Sequence, residues 1–211
     1  MRALAAMPAE GETRPGSLES LSADERIFAA LCSLSSTNRA AAASALTDLL
    51  EEKHSTGHHR RVGELIASAD PRERAGGLAA LGALVMIDGD DLGPRLSTYG
   101  GPLRIAIQRS AGSNLQVVGQ VCEFYGELVR RARDPEALDV ETRWSLAALN
   151  EDADLTHAVA TSEVRLLTGV LTLRQLTLQA PTAVYPHAAT ALEHLWRPLT
   201  CPSLQVGILL F

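Results

Sequence analysis

Apolar residues recur along this chain at helical spacing, in runs separated by polar, glycine and proline punctuation. The clearest run is Ser68 to Val85. Asp70 can accept hydrogen bonds from free backbone amides at a helix start, and Pro71 follows at the first helical position, where its missing N–H costs nothing. Arg72, Glu73 and Arg74 crowd the first turn. Beyond them Leu78, Leu81, Leu84 and Val85 form a face for burial against other helices. The small residues Ala75, Gly76, Gly77, Ala79, Ala80, Gly82 and Ala83 let those helices approach closely.

Looser versions of this unit fill the rest of the chain. Leu18 to Leu34 carries an apolar stripe, and Ser22 with Glu25 three residues on matches a capping box. Ser35-Ser36-Thr37-Asn38 breaks that pattern. Arg39 to Glu52 then reads as an alanine-rich helix with Leu46, Leu49 and Leu50 on one side. His54 to His59 reads as a polar loop before a short helix through Val62, Leu65 and Ile66. A helix is predicted over Leu92 to Ala111, disturbed at Gly100-Gly101-Pro102. Leu115 to Arg131 has a broad apolar stripe, Arg133-Asp134-Pro135 reads as a linker, and Leu138 to Leu149 holds Trp144 and Leu146. After an acidic loop, Ser162-Glu163 opens a long apolar helix that Ala180-Pro181 stops. Val184 to Leu199 gives one more.

The restart points Asn38, Asp70, Asn114, Ser162 and Cys201 follow one another at intervals of roughly 30–50 residues, with two helices per interval. That is the pattern of an all-α, HEAT/armadillo-like α-solenoid, in which each hairpin hides its apolar face by stacking on the next. About four to five hairpins are expected, over residues 18–52, 58–87, 92–132, 136–179 and an incomplete 184–211, behind a flexible leader at 1–17. The run Gly207-Ile208-Leu209-Leu210-Phe211 falls inside the last helix. An uncapped apolar edge there would favour self-association.

Composition agrees with packed helices. The 211 residues are 46% hydrophobic but 4% aromatic, short of the β-branched and aromatic content of a sandwich. A net charge of −6 argues against general nucleic-acid binding. No run of about 18 apolar residues marks a membrane span. Cys32, Cys122 and Cys201 are far apart and lack metal-ligand spacing, which fits reduced thiols in a cytoplasmic protein.

Catalytic chemistry finds little support. A protein kinase needs a Gly-rich phosphate loop, a catalytic Asp with its Asn, and an Asp-Phe-Gly, and the chain has none of these. Gly76-Gly77 sits inside a helix start and reads as close packing. His54, His58 and His59 are the one histidine cluster and read as a solvated loop; His157, His187 and His194 are isolated. No Gly-x-Ser-x-Gly elbow accompanies a serine nucleophile. No catalytic residue, cofactor or metal ligand is therefore assigned. Two basic groups at helix ends, Arg60, Arg61, Arg72 and Arg74 in one and Arg130, Arg131 and Arg133 in the other, are the candidate contacts for an acidic protein partner. The acidic run of Asp134, Glu136, Asp139 and Glu141, with Glu151, Asp152 and Asp154, would repel nucleic acid.

Read together, the units have a narrower resemblance. Leu65-Ile66-Ala67-Ser68-Ala69-Asp70, followed by Glu73-Arg74-Ala75-Gly76-Gly77-Leu78-Ala79-Ala80-Leu81 and Leu84-Val85, resembles the first HEAT repeats of the TOR (target of rapamycin) Ser/Thr kinases, in the phosphatidylinositol-kinase-related kinase family. Val164 to Pro181, with Leu173-Arg174-Gln175-Leu176 and Ala180-Pro181-Thr182, resembles a later helix of that region, and Trp196 to Val206 the segment after it. Order and spacing agree over about residues 25–207. The resemblance implies a non-catalytic scaffold in growth and nutrient signalling, with the kinase domain far downstream. It implies TOR-complex subunits as partners and, through the early repeats, a Rheb-type small GTPase. A stand-alone HEAT-repeat adaptor or transport protein is the alternative.

Overall fold

The computed structural model describes residues 22–53, 56–87, 95–150 and 162–200. Its helices are α1 (Ala23–Leu31), α2 (Ser36–Lys53), α3 (Thr56–Ile66), α4 (Pro71–Ile87), α5 (Leu96–Ser110), α6 (Leu115–Arg131), α7 (Pro135–Leu149), α8 (Ser162–Gln179), α9 (Pro181–Val184) and α10 (Ala188–Thr200), with a 3-10 turn at Tyr185–His187 between the last two. No strand occurs among the described residues.

Local chemistry starts several of these helices. Ser22 and Glu25 close the capping box in both directions, with Glu25 N–H on Ser22 Oγ at 3.2 Å and Ser22 N–H on Glu25 Oε2 at 2.8 Å. Asp70 Oδ1 accepts from Arg72 N–H at 2.8 Å, and Asp134 Oδ1 accepts from Glu136 N–H at 2.9 Å, each ahead of a proline at the first helical position. Asn114 caps α6 through Val117 N–H at 3.1 Å.

Several expected boundaries move. Helix α2 opens at Ser36 rather than after Asn38, because Ser35 Oγ accepts the Asn38 amide at 3.3 Å and makes the serines a helix start. Helix α1 ends at Leu31, so Leu34 leaves the stripe and is 73% exposed. His58 and His59 belong to α3 and not to a loop, while His54 lies outside the described residues. Pro102 does not break α5, where it packs beside Gly63 of α3. Asp134 and Pro135 start α7 instead of acting as linker. Pro181 opens α9, and the single helix expected over Val184 to Leu199 is divided by the 3-10 turn. The restart at Cys201 is outside the described residues.

The helices pair as α1 with α2, α3 with α4, α5 with α6 and α7 with α8, and the pairs stack. One layer holds α2, α4, α6 and α8, each against the next; in the other, α3, α5, α7 and α10 follow in the same way. This is an α-solenoid-like fold. The buried side chains join into a continuous core from Phe28 and Leu31 through Leu81, Leu103, Tyr125 and Leu128 to Leu176 and Ala191.

Three features hold the stack in register. The first is close approach at Gly76 and Gly77. A Cβ at Gly77 would lie 2.6 Å from the Ile66 backbone nitrogen of α3, and one at Gly76 would collide with the Leu31 carbonyl of α1. Neither helix can slide without opening that contact.

The second is a recurring arginine. Arg39, Arg74 and Arg165 each occupy the fourth position of a helix, α2, α4 and α8. Arg39 donates to Ser33 O at 2.7 Å and Leu34 O at 3.0 Å, and Arg74 to Ser68 O at 2.7 Å and Ala69 O at 3.4 Å. Arg165 reaches Asn150 O at 3.3 Å. Each guanidinium ties its helix to carbonyls that the preceding helix leaves unsatisfied at or just beyond its end.

The third is a buried polar node between the third and fourth pairs. Glu141 of α7, 4% exposed, accepts from Arg104 of α5 and from Tyr125 Oη of α6 at 2.9 Å. The Arg104 guanidinium lies 4.3 Å from the Trp144 ring centroid. Glu141 was expected on a solvated acidic face, but helix packing turns it inward, and a Cβ at Gly100 would overlap its carboxylate.

Replacing Gly77 by valine should lower stability by about 1–3 kcal/mol through overpacking. Gly119→Ala, at a position in α6 with open space around it, should raise stability by up to about 1 kcal/mol. Urea denaturation of both variants checks the pair. Arg104→Met should cost about 3–5 kcal/mol by leaving the Glu141 carboxylate buried and unpaired, whereas Arg104→Met combined with Glu141→Leu should recover much of that loss.

Candidate functional site

A groove lies across the starts of α2, α4 and α6. It has a volume of about 690 Å³ and runs between the second helices of the first three pairs. Its floor is small and apolar, with Ala40 and Ala43 from α2, Ala75, Leu78 and Ala79 from α4, and Val117 from α6. Among the described residues its cationic lining is Arg39 and Arg74, and no acidic residue lines it.

The packing rules of the fold produce this groove. Small residues let α2, α4 and α6 sit close, and the shortness of their side chains leaves a channel above the backbone. The same arginines that fasten the turns stand at its rim. Burial, followed by the charge of neighbouring Arg109, pulls the Arg74 guanidinium below its ordinary value, while Asp70 opposes the shift. Arg109 donates to Ala67 O in the turn that Arg74 also holds. Ser110, 1% exposed, also lines the groove, and its Oγ bonds to no described residue.

The structure separates the first arginine group. Arg60 is exposed on α3 and pairs with Glu64 at 3.3 Å. Arg61 lies 4.3 Å from the Phe28 ring centroid of α1. Arg72 is exposed in the first turn of α4, whereas Arg74 is buried against its own turn. In the second group Arg130 and Arg131 converge on Glu127, each with one guanidinium nitrogen 2.5 Å from Oε1. Those two arginines hold the Glu127 carboxyl below its usual range, Arg130 first. Arg133 is exposed beyond the end of α6. The sequence could not tell Arg72 from Arg74, since burial depends on how the preceding turn folds. The sequence carries no separate signal for Arg39: the helix reads as starting at Arg39 itself, so its place as fourth residue, the same as that of Arg74, shows only in the fold.

Histidines fasten α3 to its neighbours α1 and α5. His58 stacks on Phe28 with ring centroids 6.0 Å apart and bonds Asp24 of α1 at 3.1 Å, while His59 of the same helix faces α5, bonding Tyr99 Oη at 2.8 Å beside Arg95. Burial, then Arg95 and His58, push the His59 imidazole down to about 4. His187, expected to be isolated, bonds Asp139 Oδ1 at 3.0 Å. Among the described residues no three His, Cys, Asp or Glu side chains converge as a metal site would require. Cys32 and Cys122 are free thiols, and burial pushes Cys122 up to about 12. Cys201 lies outside the described residues. No described helix is long and apolar enough to cross a membrane.

This arrangement is that of a stacked helical-hairpin protein with a small-residue groove and basic points along its surface. In comparison with known proteins, the chain is 26% identical over 148 residues to the serine/threonine-protein kinase tor1 of Schizosaccharomyces pombe, a match covering 68% of this chain. The matched part is 6% of that kinase's length, so the similarity concerns a TOR-related helical region. No protein-family model matches the chain, and no solved structure does.

The depressed His59 value has a consequence for stability. In the unfolded chain this histidine takes up a proton near its ordinary 6.5, whereas in the fold it does so near about 4. Its neutral form is thus fully compatible with the fold above pH 6.5, and stability falls as pH drops from there toward about 4. The melting temperature should fall on acidification across that window, and His59→Gln should flatten that part of the profile.

Proposed function

We propose that this chain is a non-catalytic helical-repeat interaction scaffold, corresponding to the amino-terminal regulatory part of a TOR-type Ser/Thr protein kinase in growth and nutrient signalling. The observation that carries the reading is the conjunction of the stacked hairpins with the TOR-related sequence over 68% of the chain. Hairpins of this kind present long ridges and grooves on which other proteins dock. In the whole protein the kinase reaction would belong to a downstream domain, and this region would position partners. The place of work is the cytoplasm.

The partners in this proposal are TOR-complex subunits and, at the early repeats, a Rheb-type small GTPase. Arg60, Arg61, Arg72, Arg130, Arg131 and Arg133 would meet acidic surfaces on them, with Arg74 acting from the groove. Leu192 and Trp196, one turn apart on α10 and 73% and 71% exposed, support association with a further helical layer or a second copy at that end. A stand-alone adaptor would use the same surfaces, but the similarity to a kinase favours the first reading.

Immobilised, folded chain incubated with purified TOR-complex subunits and, separately, with a GTP-loaded Rheb-type GTPase should retain at least one of them. Recovery of neither from a sample whose helicity and cooperative melting are verified would refute the proposal.

A further inference from the structure

We propose that the groove across α2, α4 and α6 is a docking site for a short acidic segment of a partner protein, with small side chains against the alanine floor and carboxylates at Arg39 and Arg74. This rests on the scaffold reading and names the chemistry of one of its partners.

Charge complementarity carries the choice of occupant. The chain has 25 acidic and 19 basic residues, yet among the described residues the groove is lined by two arginines and by no acid. Both arginines hold their turns through Nη1, and the remaining N–H groups of each guanidinium make no hydrogen bond to another described residue. A guanidinium carries five donors in a fixed fork, so turn anchoring and carboxylate binding can coexist. Arg109 adds positive charge next to Arg74. The start of each of the three helices adds a partial positive charge on the same side.

Two further observations point to an occupant. Ser110 brings a buried hydroxyl without a bonding partner among the described residues to the lining, a group that a docked segment could satisfy. The floor is wide but shallow in chemistry, offering Ala40, Ala43, Ala75 and Ala79 where bulky side chains would have closed it. A volume of about 690 Å³ suits the side chains of a short peptide stretch rather than a whole domain.

The test uses the full chain and two fluorescent peptides of equal length, one repeating Glu-Ala-Ala and the other Lys-Ala-Ala, read by anisotropy. The acidic peptide should bind and the basic one should not, with an affinity that falls as salt rises. Ala40→Glu puts a carboxylate at an exposed position of the groove and should weaken acidic-peptide binding about tenfold or more. Ala40→Lys should tighten it, an outcome that misfolding cannot imitate. Ala189→Glu, the same change at an exposed position of α10, should have no effect.

Failure of the acidic peptide to bind, equal binding of both peptides, or insensitivity to Ala40→Glu would overturn the proposal. The scaffold reading is judged separately. If TOR-complex subunits are still captured by the Ala40→Glu chain while the peptide result is negative, the scaffold stands and the groove assignment falls.

Discussion

Everything in this fold depends on how closely α4 can approach its neighbours. At Gly76 and Gly77 the backbone of α4 lies against the Leu31 carbonyl of α1 and the Ile66 backbone of α3, with no room for a Cβ. Such contact fixes distance and crossing position together, because ridges of side chains cannot shift past one another when the backbones touch. With α4 held, Leu78, Leu81 and Leu84 fall into the core between the first and third pairs. Ala75 and Ala79 of the same helix lie in the groove floor.

Polar interactions then choose one arrangement among those that apolar packing would allow. Arg39, Arg74 and Arg165 each tie a helix back to carbonyls ahead of it, giving three hairpins a similar closure. The Arg104, Glu141 and Tyr125 node joins α5, α6 and α7 where alanine and leucine by themselves would tolerate sliding. A buried ion pair of this kind adds little net stability, since desolvation offsets attraction, but breaking it is costly. Its contribution here is to register. Between α7 and α8 the Ser145 and Thr172 hydroxyls, 2.8 Å apart, serve the same end.

The groove proposed as a docking surface follows from these structural devices. The residues that let helices approach also keep the groove open, and the arginines that close the turns also give it positive charge. The similarity to a TOR kinase covers 6% of that protein's length and concerns a TOR-related helical region.

The helices themselves were legible in the sequence, because their signals are local. Asp70-Pro71, Ser22 with Glu25, and the 3.6-residue spacing of leucines act within a few residues, so they decide where helices start and which face is buried. Double glycine at 76 and 77 likewise announced close packing, since a helix retains two such residues in its interior when a neighbour excludes a side chain. What local signals could not decide was partnership across the stack. Glu141 reads as one more surface acid until α5 and α6 surround it, His58 and His59 read as loop until α1 and α5 supply Asp24 and Tyr99, and Arg74 reads like Arg72 until its turn folds beneath it. Those outcomes depend on groups 16 to 40 residues away in the chain for Glu141 and the histidines, brought near by the stacking alone. Sequence determined the helices and their apolar faces because these are short-range properties of the backbone and of hydrophobic spacing. Tertiary structure decided which charges are buried, which stay exposed and where the groove lies, because burial and pairing are properties of neighbours and not of residues.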